Sequence, residues 1–402
     1  MLKVLYLVHD LADPAVRRRV MTLQAGGASV TLAGFRRGGD GPAMVEGMWP
    51  LELGTTRDAD FPQRVTAVAK AVTRLRRLLK SVPVPGVIIA RNLETLPLAN
   101  RARRIFGRDI PVAYECLDIH RLLLRNDGIG NAFRLAERFL GRHAELLLTS
   151  SPAFIEHYFK PHSGLDLPVA LLENRVIGLG GANQPLEIKA RAPLPGQPWK
   201  IGWFGALRCR TSLRVLAAFS RRMEGRFEIV LRGRPAHGEF DDFEGFAAAE
   251  PFMNFHGPYR NPEDLAAIYG EVHFNWAVDC FEAGQNSDWL LPNRLYEGGL
   301  FGALPIALQG TETARFLESR SAGMILDRVT DESLASLMSG FDTESYLRRF
   351  GQIAALDRKS WVMDQDDCRD LVRRLANLSR EPETDTAHYP FVQPQSNKGG
   401  WS

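Results

Sequence analysis

Lys200-Ile-Gly-Trp-Phe-Gly205-Ala-Leu-Arg208-Cys-Arg210-Thr-Ser-Leu213 reads as a buried strand running into a glycine, a short basic loop and the start of a helix. Small residues at such a turn let backbone approach a phosphate, a helix N-terminus favours negative charge, and an arginine fork can hold two phosphate oxygens. The stretch therefore fixes one strand–loop–helix unit of an α/β fold and nominates Gly205, Arg208 and Arg210 as phosphate ligands. Many ligand-free strand–helix turns also carry arginine, so the surrounding sequence has to carry the argument further.

Downstream, the series continues with strands at Phe227–Leu231, Phe252–His256, Val272–Trp276, Leu304–Leu308 and Met324–Leu326, and helices over Leu213–Arg222 and Pro262–Tyr269. Between them, Pro292-Asn293-Arg294-Leu-Tyr-Glu297 can start a helix that carries Arg294 and Glu297 three apart, on one side. A carboxylate there can take a ribose diol, as the acidic residue of dinucleotide folds does. The plainer alternative is a surface ion pair between Arg294 and Glu297. Upstream, apolar runs of strand length at Leu2–Val8, Ser29–Phe35, Val87–Ala90, Val112–Glu115, Leu146–Thr149 and Val169–Leu172 alternate with helical segments. Continuous apolar strands belong to parallel sheets covered on both faces.

The stretch 178–198 is rich in Gly, Pro and Ala and lacks periodicity, which makes it the best linker. The expected organisation is two facing Rossmann-like domains. Residues 1–180 form the first domain, 181–198 a linker, and 199–360 a second domain that carries the phosphate and ribose motifs. A helix within 361–380 packs back towards the first domain, and 381–402 is a disordered tail.

The 402 residues are 45% apolar and 24% charged, which excludes disordered, collagen-like and small disulfide-stapled classes. No run approaches the roughly 20 apolar residues of a membrane span, and no cleavage-site pattern follows the first apolar run. Four separated cysteines without a CxxC pair point to a reducing cytoplasm. Scattered histidines give no metal-ligand spacing, so neither metal nor cofactor is expected. Asp58-Ala-Asp60 and Asp364-Gln-Asp366 fit an Asp-x-Asp metal motif, but both adjoin helix starts and read better as caps. Residues 1–180 hold 25 Lys+Arg against 17 Asp+Glu, and the remainder 25 against 30. A basic first half suits an anionic lipid surface or a phosphorylated acceptor. Nucleic acid is disfavoured, because no recognition motif accompanies the charge.

In the first half, His9-Asp10 and Asp118-Ile-His120 follow strands and should point into the cleft, since ligands bind outside the carboxyl ends of parallel strands. Asp10, Asp13 and Asp118 are carboxylates placed to act as a general base. Asp13, just before Pro14, is equally placed to cap a helix.

The chain resembles GT-B glycosyltransferases of the group that assembles bacterial surface polysaccharides. The resemblance rests on Gly27-Ala-Ser-Val30-Thr-Leu32, Thr149-Ser-Ser-Pro152, Leu172-Glu-Asn174, Phe204–Leu213, Tyr259–Tyr269 and Pro292–Glu297 with Gly302-x-x-Pro305, in the family's order across residues 1–378. It implies donor contacts from Gly205, Arg208, Arg210, Asn293, Arg294 and Glu297. It also implies catalytic roles among Asp10, Asp118 and His120, and an acceptor side near His9 and Asp13. The family's second glutamate, eight residues before Glu297, is replaced by Trp289. Residues 284–297 further resemble the glucosyltransferases of succinoglycan-type exopolysaccharide assembly. That resemblance implies transfer of glucose from UDP-glucose to a lipid-diphosphate-linked oligosaccharide at the inner face of the cytoplasmic membrane. The alternatives are a UDP-sugar epimerase of the same fold and a non-catalytic nucleotide-binding partner in an assembly complex. A helix with its apolar stripe at Val65, Val68, Val72, Leu75 and Leu79 on the sheet would offer Arg64, Lys70, Arg74, Arg76, Arg77 and Lys80 to an anionic membrane, with Arg101, Arg103 and Arg104 extending the patch.

Overall fold

The computed structural model describes residues 1–38, 42–57, 60–178, 188–236 and 238–378. Residues 181–187 of the expected linker and all of the expected 381–402 tail lie outside these residues, as does Asp58.

The first half is one parallel sheet. Its strands are β1 (Lys3–Val8), β2 (Ser29–Arg37), β3 (Leu51–Thr56), β4 (Val87–Arg91), β5 (Val112–Glu115), β6 (Ala144–Thr149) and β7 (Val169–Leu171), in the spatial order β3-β2-β1-β4-β5-β6-β7. After the short strand β8 (Val176–Ile177), a second parallel sheet holds β9 (Trp199–Leu207), β10 (Phe227–Pro235), β11 (Met253–Phe255), β12 (Phe274–Trp276), β13 (Leu304–Leu308) and β14 (Met324–Leu326), in the order β11-β10-β9-β12-β13-β14. Strand β15 (Val362–Met363) pairs with β8. The central strands are apolar along their length because both sheet faces are buried: five of the six β1 residues have no exposed side chain to speak of. Strand order reverses between β1 and β4 and again between β9 and β12. Ligand crevices form outside the carboxyl ends at such reversals. The loops after Val8 and Leu207 are therefore the positioned ones.

Strand β3 was not legible in the sequence; it is an edge strand whose Glu52, Gly54 and Thr55 are exposed. In the helix Phe61–Leu78, Ala71 and Leu75 are buried and Val68 and Val72 pack beside them, but Val65 is 52% exposed. The expected stripe thus begins one turn later than its periodicity suggested. The helix Gln365–Asn377 crosses back to the first domain, where Leu371, Val372 and Leu375 join Val16, Val20 and Leu23 in one apolar cluster. The contact is close: a Cβ at Gly26 would meet the Cys368 carbonyl oxygen at 2.3 Å. Asp364 caps this helix by accepting from the Asp366 and Asp367 amides, and Asp60 caps Phe61–Leu78 by accepting from the Gln63 amide. No helix of the described residues is long and apolar enough to cross a membrane.

Candidate active site

The floor of the second crevice is built around one carboxylate. Asp279 follows β12 and is 9% exposed; its Oδ1 accepts from the Phe281 amide at 2.9 Å and the Ser287 hydroxyl at 2.8 Å. Its Oδ2 lies 3.4 Å from both Arg208 Nη2 and Arg294 Nη2. Burial alone would raise the Asp279 carboxyl, but Arg294 and Arg208 outweigh it and hold it below its ordinary range. One buried anion therefore aligns two guanidinium groups, from the β9 loop and from the helix Asn293–Leu300, on the same side of the cleft. Arg294 is 8% exposed, and its second contact is the Val278 carbonyl at 2.9 Å. It pairs with Asp279 rather than with Glu297, so the alternative of a surface Arg294–Glu297 ion pair is not what the fold makes. Gly205 has φ +105°, and a Cβ there would meet only the Tyr259 hydroxyl, at 3.9 Å. The turn leaves bare backbone that a phosphate can approach. Arg210, the first residue of its helix, is exposed and lies 3.9 Å from Asp241, apart from the Asp279 cluster.

Glu297 is 6% exposed on the same short helix. It accepts from Asn261 Nδ2 at 2.8 Å and from the Tyr269 hydroxyl at 3.0 Å. Burial raises its pKa; Arg18 and the two hydrogen bonds oppose that rise without cancelling it. Arg18 comes from the first domain's helix Pro14–Ala25. Its Nη1 donates to Asn174 Oδ1 at 3.0 Å and to Asn293 Oδ1 at 2.9 Å. Asn293, expected at the donor, is thus also the point where the first domain takes hold of the second. Asn174 completes the contact by donating to the Leu291 carbonyl at 2.8 Å.

Across the cleft, the carboxyl ends of β1, β4 and β5 carry a denser charge cluster. Glu115 is fully buried and accepts from the Tyr6 hydroxyl, from Arg19 Nε at 2.5 Å and from Arg91 Nη1 at 3.2 Å. Burial would raise it, but the two guanidinium groups and the tyrosine hold it low. Arg91 also donates to Asp13 at 2.8 Å, while Asp13 caps Pro14–Ala25 by accepting from the Ala15 amide at 2.8 Å. Of the two sequence alternatives for Asp13 the fold makes the cap; burial would raise its carboxyl, but Arg91, His9 and the cap bond together hold it below the ordinary range. Asp10 accepts from the Ala12 amide at 2.9 Å and lies 3.8 Å from Arg37.

His9, Asp118 and His120 line one cavity of about 190 Å³ together with Phe61, Arg64 and Phe133. Burial lowers His9 to about 3, with Arg91 adding to the effect. His120 is lowered too, by burial and then Arg64. Both rings are therefore neutral donors or acceptors near pH 7. Asp118 moves the other way: desolvation between the cleft walls, then the Glu282 carboxylate, push it up to about 7 against the pull of Arg208. Asp13 is held low by contrast, so of these two candidate bases Asp118 is the one placed to exchange a proton near neutrality.

The segment 284–297, notable in the sequence for its resemblance, also joins the halves, a role its residues did not announce. Asn286 is 2% exposed. Its Oδ1 accepts from the Ile119 amide at 3.0 Å, and its Nδ2 donates to the Ile119 carbonyl and to Glu282 Oε2, each at 2.7 Å. A single amide thereby fixes the Asp118–His120 turn of one domain against Glu282 of the other. Trp289 stacks on His157 at 5.4 Å and 16°, and its carbonyl accepts from the Ser151 hydroxyl. The residue replacing the family's second glutamate is turned onto the first domain. The one available signal was the run Asn286-Ser-Asp-Trp289, polar yet flanked by the donor motif. Arg18 gave no signal because a three-arginine run on a helix reads as a solvated face, and Arg91 none because a lone arginine ending an apolar strand does not announce its partners.

Comparison with known proteins shows the family and the fold. Residues 12–165 match the glycosyl transferase 4-like domain. The chain is 59% identical over 386 residues to the succinoglycan biosynthesis protein ExoL of Rhizobium meliloti, covering 96% of each. Among solved structures, Anabaena HepE in complex with UDP and glucose superposes with a TM-score of 0.64 at 14% identity, covering 93% of this chain and 99% of that one. Sucrose-phosphate synthase from Thermosynechococcus elongatus gives 0.63 at 13%, covering 94% and 96%. The chain belongs to the glycosyl transferase 4-like family, and it is a glycosyltransferase of GT-B fold.

Proposed function

We propose that the enzyme moves glucose from UDP-glucose to a lipid-diphosphate-linked oligosaccharide, as a step of succinoglycan-type exopolysaccharide assembly at the inner face of the cytoplasmic membrane. The observation that carries this reading is the opposition of two built crevices. One holds a diol-sized carboxylate, Glu297, beside the Arg208–Asp279–Arg294 cluster. The other holds Asp118 and His120 in a cavity of about 190 Å³. In this reading Glu297 takes the ribose hydroxyls, and Arg208 and Arg294 receive the diphosphate. Preorganised positive charge there lowers the barrier to leaving-group departure without a metal. Asp118 takes the acceptor hydroxyl proton. The relative of known role, ExoL, supports the pathway, and the UDP- and glucose-bound HepE supports the donor class.

Calorimetric titration with UDP, followed by turnover on membranes bearing lipid-linked oligosaccharide, tests the proposal. Glucose transferred to the lipid fraction only when both substrates are present is the expected result. UDP-glucose converted without acceptor would replace transfer by epimerisation, and UDP binding without turnover of any donor would leave a non-catalytic partner. Loss of turnover on chelation, restored by manganese, would overturn the metal-free mechanism.

A further inference from the structure

The helix Gly128–Gly141 presents an apolar stripe to solvent. Ile129, Leu135 and Phe139 are 50%, 65% and 60% exposed, and the exposed Ala132 and Ala136 fill the spaces between them. Positions 129, 132, 136 and 139 recur at the spacing of one helix face, with Leu135 along its edge. On a soluble surface such a stripe marks an interaction site. The same helix turns Phe133 inward, where it lines the cavity that holds Asp118 and His120. Outer stripe and acceptor cavity are thus two faces of one element.

The rim of the stripe is cationic. Arg138 and Arg142 flank it, and their guanidinium groups bond the Ser163 carbonyl, the His143 ring and the Phe139 carbonyl rather than carboxylates. Arg142 also lies 4.0 Å over the Phe139 ring. Next to it, the helix Leu96–Phe106 ends in Arg103 and Arg104. The His143 ring is lowered by burial and then by Arg103, Arg142, Arg104 and Arg108, which shows how densely positive charge gathers here.

We infer that the Ile129–Leu135–Phe139 stripe inserts into an anionic bilayer surface, with Arg138, Arg142 and the Arg103–Arg104 pair against the headgroups. Charge decides between occupants: a second copy docking stripe to stripe would oppose like arginine rims, whereas anionic headgroups complement them. The inference rests on the proposed lipid-linked acceptor only for its purpose, namely to hold the cavity mouth at the membrane. It also relocates the expected contact. The basic helix Phe61–Leu78 can add long-range attraction, but its buried stripe has nothing to insert except Val65.

Vesicle sedimentation of the full chain tests this, using phosphatidylcholine alone and phosphatidylcholine mixed with phosphatidylglycerol. The wild type should sediment with the anionic vesicles only. Leu135→Ser with Phe139→Ser should reduce the partition coefficient about tenfold or more, with UDP affinity unchanged. These side chains are exposed, so the variants should stay folded; circular dichroism verifies that. Arg138→Gln with Arg142→Gln should lower binding in a way that added salt mimics in the wild type. Undiminished anionic-vesicle binding by the serine variant overturns the proposal. So does a concentration-dependent dimer, seen by analytical ultracentrifugation, that the serine variant abolishes. Vesicle binding in a protein that takes no nucleotide would instead fault the proposed transferase reaction and leave the membrane surface standing.

Discussion

Two buried glutamates, Glu115 in the first domain and Glu297 in the second, face the same cleft and are shifted in opposite directions. Glu115 is met by two arginines and a tyrosine within its own domain, and its carboxyl is held low. Glu297 is met by two neutral donors of its own domain, while the cation that acts on it most, Arg18, comes from the other domain; its carboxyl is raised. A fully compensated buried charge has nothing left to offer a ligand. An under-compensated one is poised to accept further hydrogen bonds, such as those of a ribose diol. The first cluster is architecture, and the second is a binding group.

The contrast breaks most visibly in stability. Glu115→Gln leaves Arg19 and Arg91 buried against a neutral amide and should cost about 3–5 kcal/mol, the usual penalty for removing one partner of a buried ion cluster. Because the folded-state pKa of Glu115 lies below its unfolded value, its contribution is present above the ordinary Glu pKa of about 4.3 and is lost as pH falls through the folded value. Chemical denaturation at pH 7 and at low pH should show the Gln variant's deficit shrinking on acidification. Glu297→Gln has the opposite sign: a raised carboxyl makes ionisation costly to the fold, so the variant should be neutral or slightly more stable at pH 7.

Nucleotide affinity is where Glu297 counts. Glu297→Ala should weaken UDP and uridine alike by about 1.5–3 kcal/mol, the range for hydrogen bonds to a charged group, with little change in unfolding midpoint. Calorimetry with both ligands checks it; equal affinity for the variant and wild type would remove the carboxylate from the ribose site. Arg208→Ala should act on UDP but not uridine, and by less, about 1 kcal/mol, because its guanidinium is partly exposed and screened. A parallel loss on uridine would show that Arg208 only shapes the loop.

How much of this the sequence contained follows from burial. Continuous apolar runs announced β1, β4 and β9, and the motif Pro292–Glu297 announced the helix that carries Arg294 and Glu297. Edge strand β3 was silent because a strand with one face in solvent has a mixed composition. The helix Gly128–Gly141 was silent for a related reason: its apolar residues lie on both its inner and outer faces, which blurs the 3.6-residue pattern. Arg18, Arg91 and Asn286 were illegible in a deeper sense. Arg91 meets Tyr6 and Asp13, Arg18 meets Asn174 and Asn293, and Asn286 meets Ile119, each pair 78 or more residues apart, and no local spacing encodes such contacts. Asp118 could be named from its place after a strand. Its tuning could not, because that depends on burial in the cleft and then on Glu282, a residue of the other domain that Asn286 links to the Ile119 turn.

That tuning gives the smallest and sharpest test of the division between the two halves. With Asp118 as the base, only its ionised form is active, so kcat/KM for transfer should climb with pH and bend near 7. Desolvation in the cleft sets most of the rise, and the groups facing Asp118 set the remainder: Glu282 and Asp279 push up, Arg208 and Arg91 pull down. Glu282→Gln removes a like charge and should move the bend to lower pH; Arg208→Ala removes an opposing one and should move it higher. Asn286→Ala frees the Ile119 backbone from Glu282 and should also lower the bend, by separating the two carboxylates, while UDP affinity stays unchanged. The same raised pKa makes wild-type stability fall between the ordinary Asp value of about 3.9 and pH 7, since the folded state binds the extra proton. Asp118→Asn should flatten that slope and the activity profile together. A bend that ignores all four substitutions would assign the titration, and the proton transfer, to another group in the cleft.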